Sequence, residues 1–185
     1  MVAKPNDKPL SMTTNLLPYK GVYPTIHSSS FIANNATVIG DTHIAEDVGI
    51  WFGCVVRGDV NEIRIGARTN IQDLTMIHCA ERGQGTYLGS DITVGHSAVL
   101  HACSIEDGAF IGIQACVMDD CIVERGAMVA AGALVTPGKV VKAGEGWAGS
   151  PATKLRGVNA KDQDFFALNL ARYVRLAKEY KSLQE

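Results

Sequence analysis

The sequence predicts an all-β chain folded as a parallel β-helix and followed by one α-helix, and two periodicities support that fold class. Aliphatic residues recur mainly every six positions across residues 31–143, whereas apolar residues recur every three or four positions across residues 160–185. A six-residue period suits short strands joined by tight turns, and a period of three and four suits an amphipathic helix. One long repeat within 185 residues indicates a single domain.

The six-residue repeat directs one large and one small side chain of each strand into the interior of the β-helix. Its aliphatic position contains a step of nine residues before Ile65 and a step of five before Ile105. The members are Ile32, Val38, Ile44, Ile50, Val56, Ile65, Ile71, Ile77, Val94, Leu100, Ile105, Ile111, Val117, Val123, Val129, Val135 and Val141. Four residues after most of them stands a small side chain: Ala36, Thr42, Cys54, Thr69, Thr75, Ala98, Ser104, Ala109, Ala115, Cys121, Ala127 and Ala133. The spacing and the many Gly, Asp and β-branched residues exclude a helix here.

Four segments follow from these patterns. Residues 1–30 form an N-terminal arm, residues 31–143 form the β-helix, and residues 160–185 form the C-terminal helix. Residues 144–159 are rich in Gly, Ser and Pro and break the repeat, so they are predicted to be a return loop.

The C-terminal helix has a wide apolar stripe. Asn159 or Asp162 is the expected N-terminal cap, since short polar side chains accept hydrogen bonds from the first free N–H groups of a helix. The stripe consists of Phe166, Leu170, Tyr173, Val174, Ala177 and Tyr180. A stripe of this width predicts that the helix lies along the β-helix.

The charge and apolar content argue against nucleic acid and membrane partners. The chain has 17 Lys and Arg and 19 Asp and Glu, with a formal net charge of −2, and no basic run. Its apolar runs are far shorter than the roughly 20 residues that cross a bilayer. The N-terminal residues lack the apolar stretch of a secretory signal, and five cysteines without a CxxC pair fit a reducing compartment. The cytoplasm is the expected location.

Three of the five histidines fall into a pattern that indicates a metal site. His78 and His101 each directly follow an inward aliphatic residue, so both point outward, whereas His96 lies two residues after one, at a corner. A catalytic zinc site takes three protein ligands and leaves a fourth position to water. Two ligands in one phase and one in another suggest an ion between the subunits of a trimer. His43 is expected to be a solvated surface residue.

Polar residues accompany these histidines. Arg57 and Gln72 occupy the same repeat position as His78, and Asp59 and Asp73 follow close behind. A lone histidine in a β-helix is more often a surface residue than a ligand, and Arg57 with Asp59 is equally compatible with a structural ion pair. The combination favours a metal site.

Cys79 offers an alternative ligand beside His78. Because neighbouring side chains on a strand point to opposite sides, Cys79 is expected to turn away from a metal bound by His78.

Several strings resemble the gamma-class carbonic anhydrases: VVRGD at 55–59, NIQD at 70–73, His78, and VGHSAVLH at 94–101. The terminal helix sequence ALNLARYVRLAKEY is also similar. The hexapeptide pattern resembles left-handed β-helices, and this resemblance implies the left hand. The family resemblance implies a homotrimer with Zn²⁺, or alternatively Co²⁺ or Fe²⁺, held by His78 and His101 of one subunit and His96 of its neighbour.

The resemblance also implies roles for five polar residues in the reversible hydration of carbon dioxide to bicarbonate. Arg57 and Asp59 would pair at the subunit interface, with Arg57 close to bicarbonate. Gln72 would orient the hydroxide nucleophile, and Asp73 would support that network. Tyr173 on the helix would approach the substrate.

Two departures from the methanogen-type members predict weak activity. Val60 stands where those proteins carry Glu, and the segment between His78 and His96 is too short for the acidic loop that supplies their proton-shuttle Glu. Two other functions stay open. Hexapeptide β-helices also build acyltransferases that use a histidine as general base, and a bound metal could serve only to lock a non-catalytic trimeric scaffold.

Overall fold

The computed structural model describes residues 15–183, which form twenty strands, β1 to β20 in chain order, and one helix, α1. Each turn of the chain adds one strand to each of three faces, and about seven turns stack into a prism. The strands of successive turns pair in parallel, so the backbone groups of one turn bond to the turns above and below. Residues 1–14 of the predicted arm and the last two residues of the predicted helix lie outside the described part.

The faces are named in the order in which the chain visits them, and β4 (Thr37–Ile44) and β6 (Val55–Ile65) continue around the corner from face one to face two. Face one also contains β1 (Asn15–Leu17), β8 (Met76–His78), β11 (Val99–His101), β14 (Cys116–Val117) and β17 (Leu134–Val135). Face two also contains β2 (Thr25–Ile26), β9 (Thr86–Leu88), β12 (Ser104–Ile105), β15 (Ile122–Val123) and β18 (Val140–Val141). Face three contains β3 (Phe31–Ile32), β5 (Gly49–Ile50), β7 (Asn70–Ile71), β10 (Thr93–Val94), β13 (Phe110–Ile111), β16 (Met128–Val129), β19 (Glu145–Gly149) and β20 (Ala152–Gly157).

The repeating aliphatic residues form the core, as predicted. Every one of them, from Ile32 to Val141, is buried. The small positions are buried too, with the exception of Ser104, whose place inside the prism is taken by Cys103. The five-residue step before Ile105 explains the difference. Ser104 directly precedes inward Ile105 on β12, so alternation along the strand turns its side chain outward.

The ends of the β-helix differ from the prediction. β1 and β2 pair with β4, so the first turn begins within the predicted arm. The predicted return loop contains β19, which pairs in parallel with β16, and β20, which pairs antiparallel with β19. An end of a stack presents unpaired backbone groups. The returning strand β20 satisfies those of β19.

Helix α1 (Ala160–Ser182) begins at a capping box that uses both predicted cap residues. The Asn159 side chain accepts hydrogen bonds from the backbone of Lys161 and Asp162, and the Asp162 side chain accepts one from the backbone of Asn159. Asp162 also accepts two hydrogen bonds from Arg156. These bonds, that of Arg156 first, lower the pKa of Asp162 to about 2.

Helix α1 runs down face three from the level of β13 to the level of β3. Near the start of the helix the Phe166 ring stacks on the Phe110 ring, with centroids 4.5 Å apart. Near its end the ring centroids of Tyr180 and Phe31 lie 5.8 Å apart. This confirms that the apolar stripe packs along the prism. Within residues 15–183 no helix has both the length and the apolar character needed to cross a membrane.

Candidate metal centre

Adjacent strands of face one bring His78 and His101 together. The register pairs His78 of β8 with His101 of β11 on one side and with Arg57 of β6 on the other. The two imidazole centroids lie 5.2 Å apart. Each of the three residues follows an inward aliphatic residue, so all three side chains project outward, as predicted.

Asp59 connects two of these side chains. Its Oδ1 lies 2.9 Å from Nε2 of His78, and its Oδ2 accepts a hydrogen bond from Arg57. Burial acts to raise the pKa of Asp59, but the hydrogen bonds from His78 and Arg57 outweigh burial and lower it. Asp59 is therefore a carboxylate at neutral pH.

His101 has a carboxylate partner that was not among the predicted site residues. Oδ1 of Asp119 lies 2.5 Å from Nδ1 of His101, and the two residues are 18 positions apart. Eighteen residues are three repeats of six, which is one turn around three faces. A polar residue 18 positions after a candidate ligand is therefore the sequence signal that indicates Asp119.

A second group of polar side chains lies at the corner between face three and face one. Nδ1 of His96 lies 2.9 Å from Oδ2 of Asp73, and its Nε2 lies 3.4 Å from the hydroxyl of Tyr173 on α1. The Tyr173 ring packs edge-on against Trp51, with centroids 5.3 Å apart. Burial, followed by the charge of Asp73, raises the pKa of Tyr173, so its hydroxyl stays protonated at neutral pH.

Gln72 belongs with this corner and not with His78. It follows inward Ile71 of β7 on face three, and it is only 4% exposed. Its backbone N–H bonds to Val94, two residues before His96. The repeat position tells inside from outside, whereas a step of six residues moves the chain to the next face. Residues in the same phase therefore share a face only at intervals of about eighteen.

The candidate site thus consists of two groups. The face-one group contains Arg57, Asp59, His78, His101 and Asp119, and the corner group contains Gln72, Asp73, His96 and Tyr173. Within residues 15–183 one set of three metal-ligand side chains has its donor atoms within 4.8 Å of one another, and that set is Asp59, His78 and Cys79. Within one chain His96 does not join His78 and His101.

Cys79 is close to this position but is a poor metal ligand. Its thiol donates a hydrogen bond to the carbonyl oxygen of Asn61, 3.2 Å away. Burial raises the pKa of the Cys79 thiol. Metals bind the thiolate. A protonated thiol bonded to the backbone agrees with the expectation that Cys79 turns away from the metal.

The histidines fit a metal held by imidazole nitrogens. His96 and His101 each place Nδ1 against a carboxylate, which leaves Nε2 for a metal. This arrangement is usual for metal-binding histidines, because the carboxylate fixes both the tautomer and the ring orientation. His78 is bonded to Asp59 through Nε2 and keeps Nδ1. His78 would therefore bind a metal through Nδ1, or its ring would have to rotate slightly to present Nε2.

No protein-family model matches the sequence. The chain is 36% identical to a carbonic anhydrase of Geobacillus kaustophilus, covering 92% of this chain and 93% of that protein. It is 37% identical to protein YrdA of Escherichia coli, covering 91% and 95%. It is 42% identical to the mitochondrial gamma carbonic anhydrase 1 of Arabidopsis thaliana, covering 85% of this chain. The match spans only 59% of that plant protein.

Solved structures share the fold. A hexapeptide transferase family protein of Anaplasma phagocytophilum is 44% identical with a TM-score of 0.86, covering 90% of this chain and 98% of that one. A Bacillus cereus protein named as a candidate acetyltransferase is 37% identical with a TM-score of 0.90, covering 92% and 98%. These hexapeptide-repeat structures confirm the left-handed parallel β-helix. With this fold, the likeness to the carbonic anhydrase of Geobacillus kaustophilus and to the gamma carbonic anhydrase of Arabidopsis thaliana shows that this chain belongs to the gamma carbonic anhydrase family.

Proposed function

We propose that the protein catalyses the reversible hydration of carbon dioxide to bicarbonate, with a zinc ion bound between neighbouring subunits of a homotrimer. The division of the metal-binding side chains into a face-one group and a corner group supports this most. In a ring of three chains, the face-one group of each chain can meet the corner group of the next. Each interface then holds one complete set of three imidazoles.

Exposed apolar residues border both groups. Val99 lies two residues before His101 on β11, Leu74 follows Asp73, and Ile113 lies at the same corner, one turn above His96. Apolar side chains of this size around polar ligand groups suit burial by another copy of the chain. The surface therefore supports the trimer.

The three imidazoles would hold the metal, and the metal would supply the nucleophile from water. When bound, zinc lowers the pKa of water from 15.7 to about 7, which provides a nucleophile at neutral pH. His78 and His101 of one chain and His96 of its neighbour would hold the ion through their imidazole nitrogens. Their carboxylate partners hold each ring in place.

Arg57 is placed to bind the anionic side of the reaction. It pairs with His78 in the strand register, and its side chain is 35% exposed although it donates to Asp59. A guanidinium offers two parallel N–H groups that match the two oxygens of bicarbonate. Asp59 balances the charge of Arg57 between turnovers.

The corner group faces this position from the neighbouring chain. The Gln72 amide oxygen would accept a hydrogen bond from the hydroxide and so orient it without adding charge, and Asp73 fixes His96. The protonated Tyr173 hydroxyl, 3.4 Å from Nε2 of His96, donates a hydrogen bond to an oxygen that arrives there.

Proton release is the weak step in this arrangement. Val60, next to Asp59, is exposed and carries no proton acceptor. Glu62 is the next carboxylate along the strand after Asp59, and it accepts hydrogen bonds from Arg64 at 2.5 Å and from Tyr87 at 2.9 Å. Both Glu62 oxygens thus already accept a hydrogen bond, and taking up a proton from the site would break one of them. We therefore infer slow turnover in the absence of buffer.

Mixed trimers test the shared site directly. His78→Ala and His96→Ala chains should each bind little zinc alone. In a ring that contains both kinds of chain, one interface joins the intact face-one group of the His96→Ala chain to the intact corner group of the His78→Ala chain. Random mixing in equal amounts should restore about one quarter of the wild-type zinc and hydration activity. If mixing restores neither, the site is not shared between subunits.

Acyl transfer is the second candidate, favoured by the transferase names of the two solved relatives. Such an enzyme needs one histidine as general base and an acyl-CoA site, and no metal trio. Titration with acetyl-CoA, together with zinc analysis, separates the two functions. A zinc-loaded trimer that binds no acetyl-CoA and hydrates no carbon dioxide would instead be a scaffold.

We propose a cytoplasmic location. All five cysteines are free thiols and lie within the described residues, which suits a reducing compartment. Several relatives are mitochondrial plant proteins. Fractionation of the source cells, followed by immunodetection, distinguishes the two locations.

A further inference from the structure

We propose that Asp119 positions His101 for metal binding, an inference that rests on the proposed function. Oδ1 of Asp119 lies 2.5 Å from Nδ1 of His101. A carboxylate can only accept a hydrogen bond, so this contact requires the proton on Nδ1. With the proton there, the lone pair of Nε2 is directed away from Asp119 and is available to a metal.

In the strand order of face one, Asp119 lies on the side of His101 that is opposite His78. On face one β8, β11 and β14 are successive neighbours, with His78 on β8, His101 on β11 and Asp119 two residues after the end of β14. His101 therefore lies between His78, whose ring centroid is 5.2 Å away, and Asp119. A carboxylate on the far side of the ring can orient it but cannot share the metal that His78 binds.

The corner group repeats this arrangement with different residues. Asp73 lies 2.9 Å from Nδ1 of His96, which likewise leaves Nε2 for the metal. Two of the three histidines thus carry an orienting carboxylate on the same ring nitrogen, although they lie on different faces. This recurrence supports a positioning role for Asp119.

Removing this carboxylate should weaken metal binding without removing a ligand. Without Asp119 the ring is free to rotate and its proton to occupy Nε2, and both must be reversed when the metal binds. The loss of such a partner typically lowers metal affinity about 10- to 100-fold. Asp119→Ala removes the acceptor, and Asp119→Asn keeps a neutral amide oxygen that accepts more weakly.

Asp120 provides a matched control. It is the next residue, is exposed, and has a positive φ of 58° that asparagine also adopts readily. Asp120→Asn removes the same charge from the same corner without touching His101. Any loss of affinity that comes only from the local charge appears equally in Asp119→Asn and Asp120→Asn.

Two measurements test the proposal. Nitrogen-15 NMR of the metal-free wild type at about pH 8, where imidazole is neutral, should show His101 protonated at Nδ1; protonation at Nε2 would overturn the proposal without any variant. Zinc affinity, measured by competition with a chelator, should fall 10- to 100-fold in Asp119→Asn and stay within about twofold in Asp120→Asn. Equal affinities of the two variants would also overturn it, whereas a wild type that binds no zinc would overturn the proposed function itself.

Discussion

His96 contacts Tyr173 across the junction between the β-helix and the helix, with 3.4 Å between Nε2 and the hydroxyl oxygen. The contact joins a corner of the prism to α1 and uses the nitrogen that Asp73 leaves for a metal. In the proposed site, a metal bound at Nε2 of His96 would displace the Tyr173 hydroxyl from this contact.

Single alanine substitutions at the three histidines should each remove most of the zinc. A site of three imidazoles loses much of its chelation when any one of them is absent. His78→Ala, His96→Ala and His101→Ala should retain little zinc after dialysis, as measured by elemental analysis. His43→Ala is the control, because His43 lies on face two beside Asp41, and it should keep the wild-type content. Full zinc occupancy in all three variants would show that the site is elsewhere.

A charge on face one should dissociate the trimer, whereas the same charge on face two should not. Val99 and Ile122 both directly precede an inward aliphatic residue and are 39% and 37% exposed. Val99 borders the proposed subunit interface, so Val99→Asp would bury a carboxylate without a partner. Light scattering should give about the 19.7 kDa mass of one chain for Val99→Asp and about three times that mass for the wild type and Ile122→Asp. A trimeric Val99→Asp variant would place the interface on another surface.

The capping box should make part of the stability depend on pH at the acidic end. Hydrogen bonds, that of Arg156 first, lower the pKa of Asp162 from 3.8 to about 2. A lowered carboxylate pKa adds stability that is complete above 3.8 and is lost as the pH falls through about 2. At pH 7 the wild type should therefore have a higher urea midpoint than Asp162→Asn. The difference should shrink as the pH falls from 3.8 to about 2. Asp164→Asn, which removes the same charge at an exposed position of the same helix outside the capping box, is the matched control.

The sequence predicts the core and the outward direction of the site residues because both depend on the strand alternation alone. The aliphatic positions from Ile32 to Val141 are buried, and Arg57, His78 and His101 project outward. It does not predict the face, since the repeat of six positions is the same on all three faces. For this reason the repeat position of Gln72 matches that of His78, although Gln72 lies on face three.

The six-residue pattern also does not predict contacts between successive turns. Asp119 meets His101 only because one turn contains about eighteen residues, a length that the six-residue pattern implies but does not state. The shift between Ser104 and Cys103 follows from one residue missing in a turn. Strands β19 and β20 lie in a segment rich in Gly and Pro, where propensity favours a loop and backbone pairing with β16 decides otherwise.

Turnover of the zinc-loaded trimer should be limited by proton transfer and should rise with buffer concentration. Each cycle releases a proton, and a positioned acid–base group typically speeds such a step about 10²- to 10⁴-fold. Val60 has no such group, and Glu62 is held by Arg64 and Tyr87. A small buffer such as imidazole can replace the missing group.

Stopped-flow hydration at constant pH and ionic strength should therefore show a rate that increases with imidazole concentration and then levels off. Val60→Glu should reduce this dependence and raise the rate at low buffer, because it adds a carboxylate next to Asp59. Ile122→Glu is the control, because it adds the same charge on face two, away from both groups. A fast rate that is indifferent to buffer would mean that another residue carries the proton, and Glu62, Glu81 and Tyr173 would be the first to substitute.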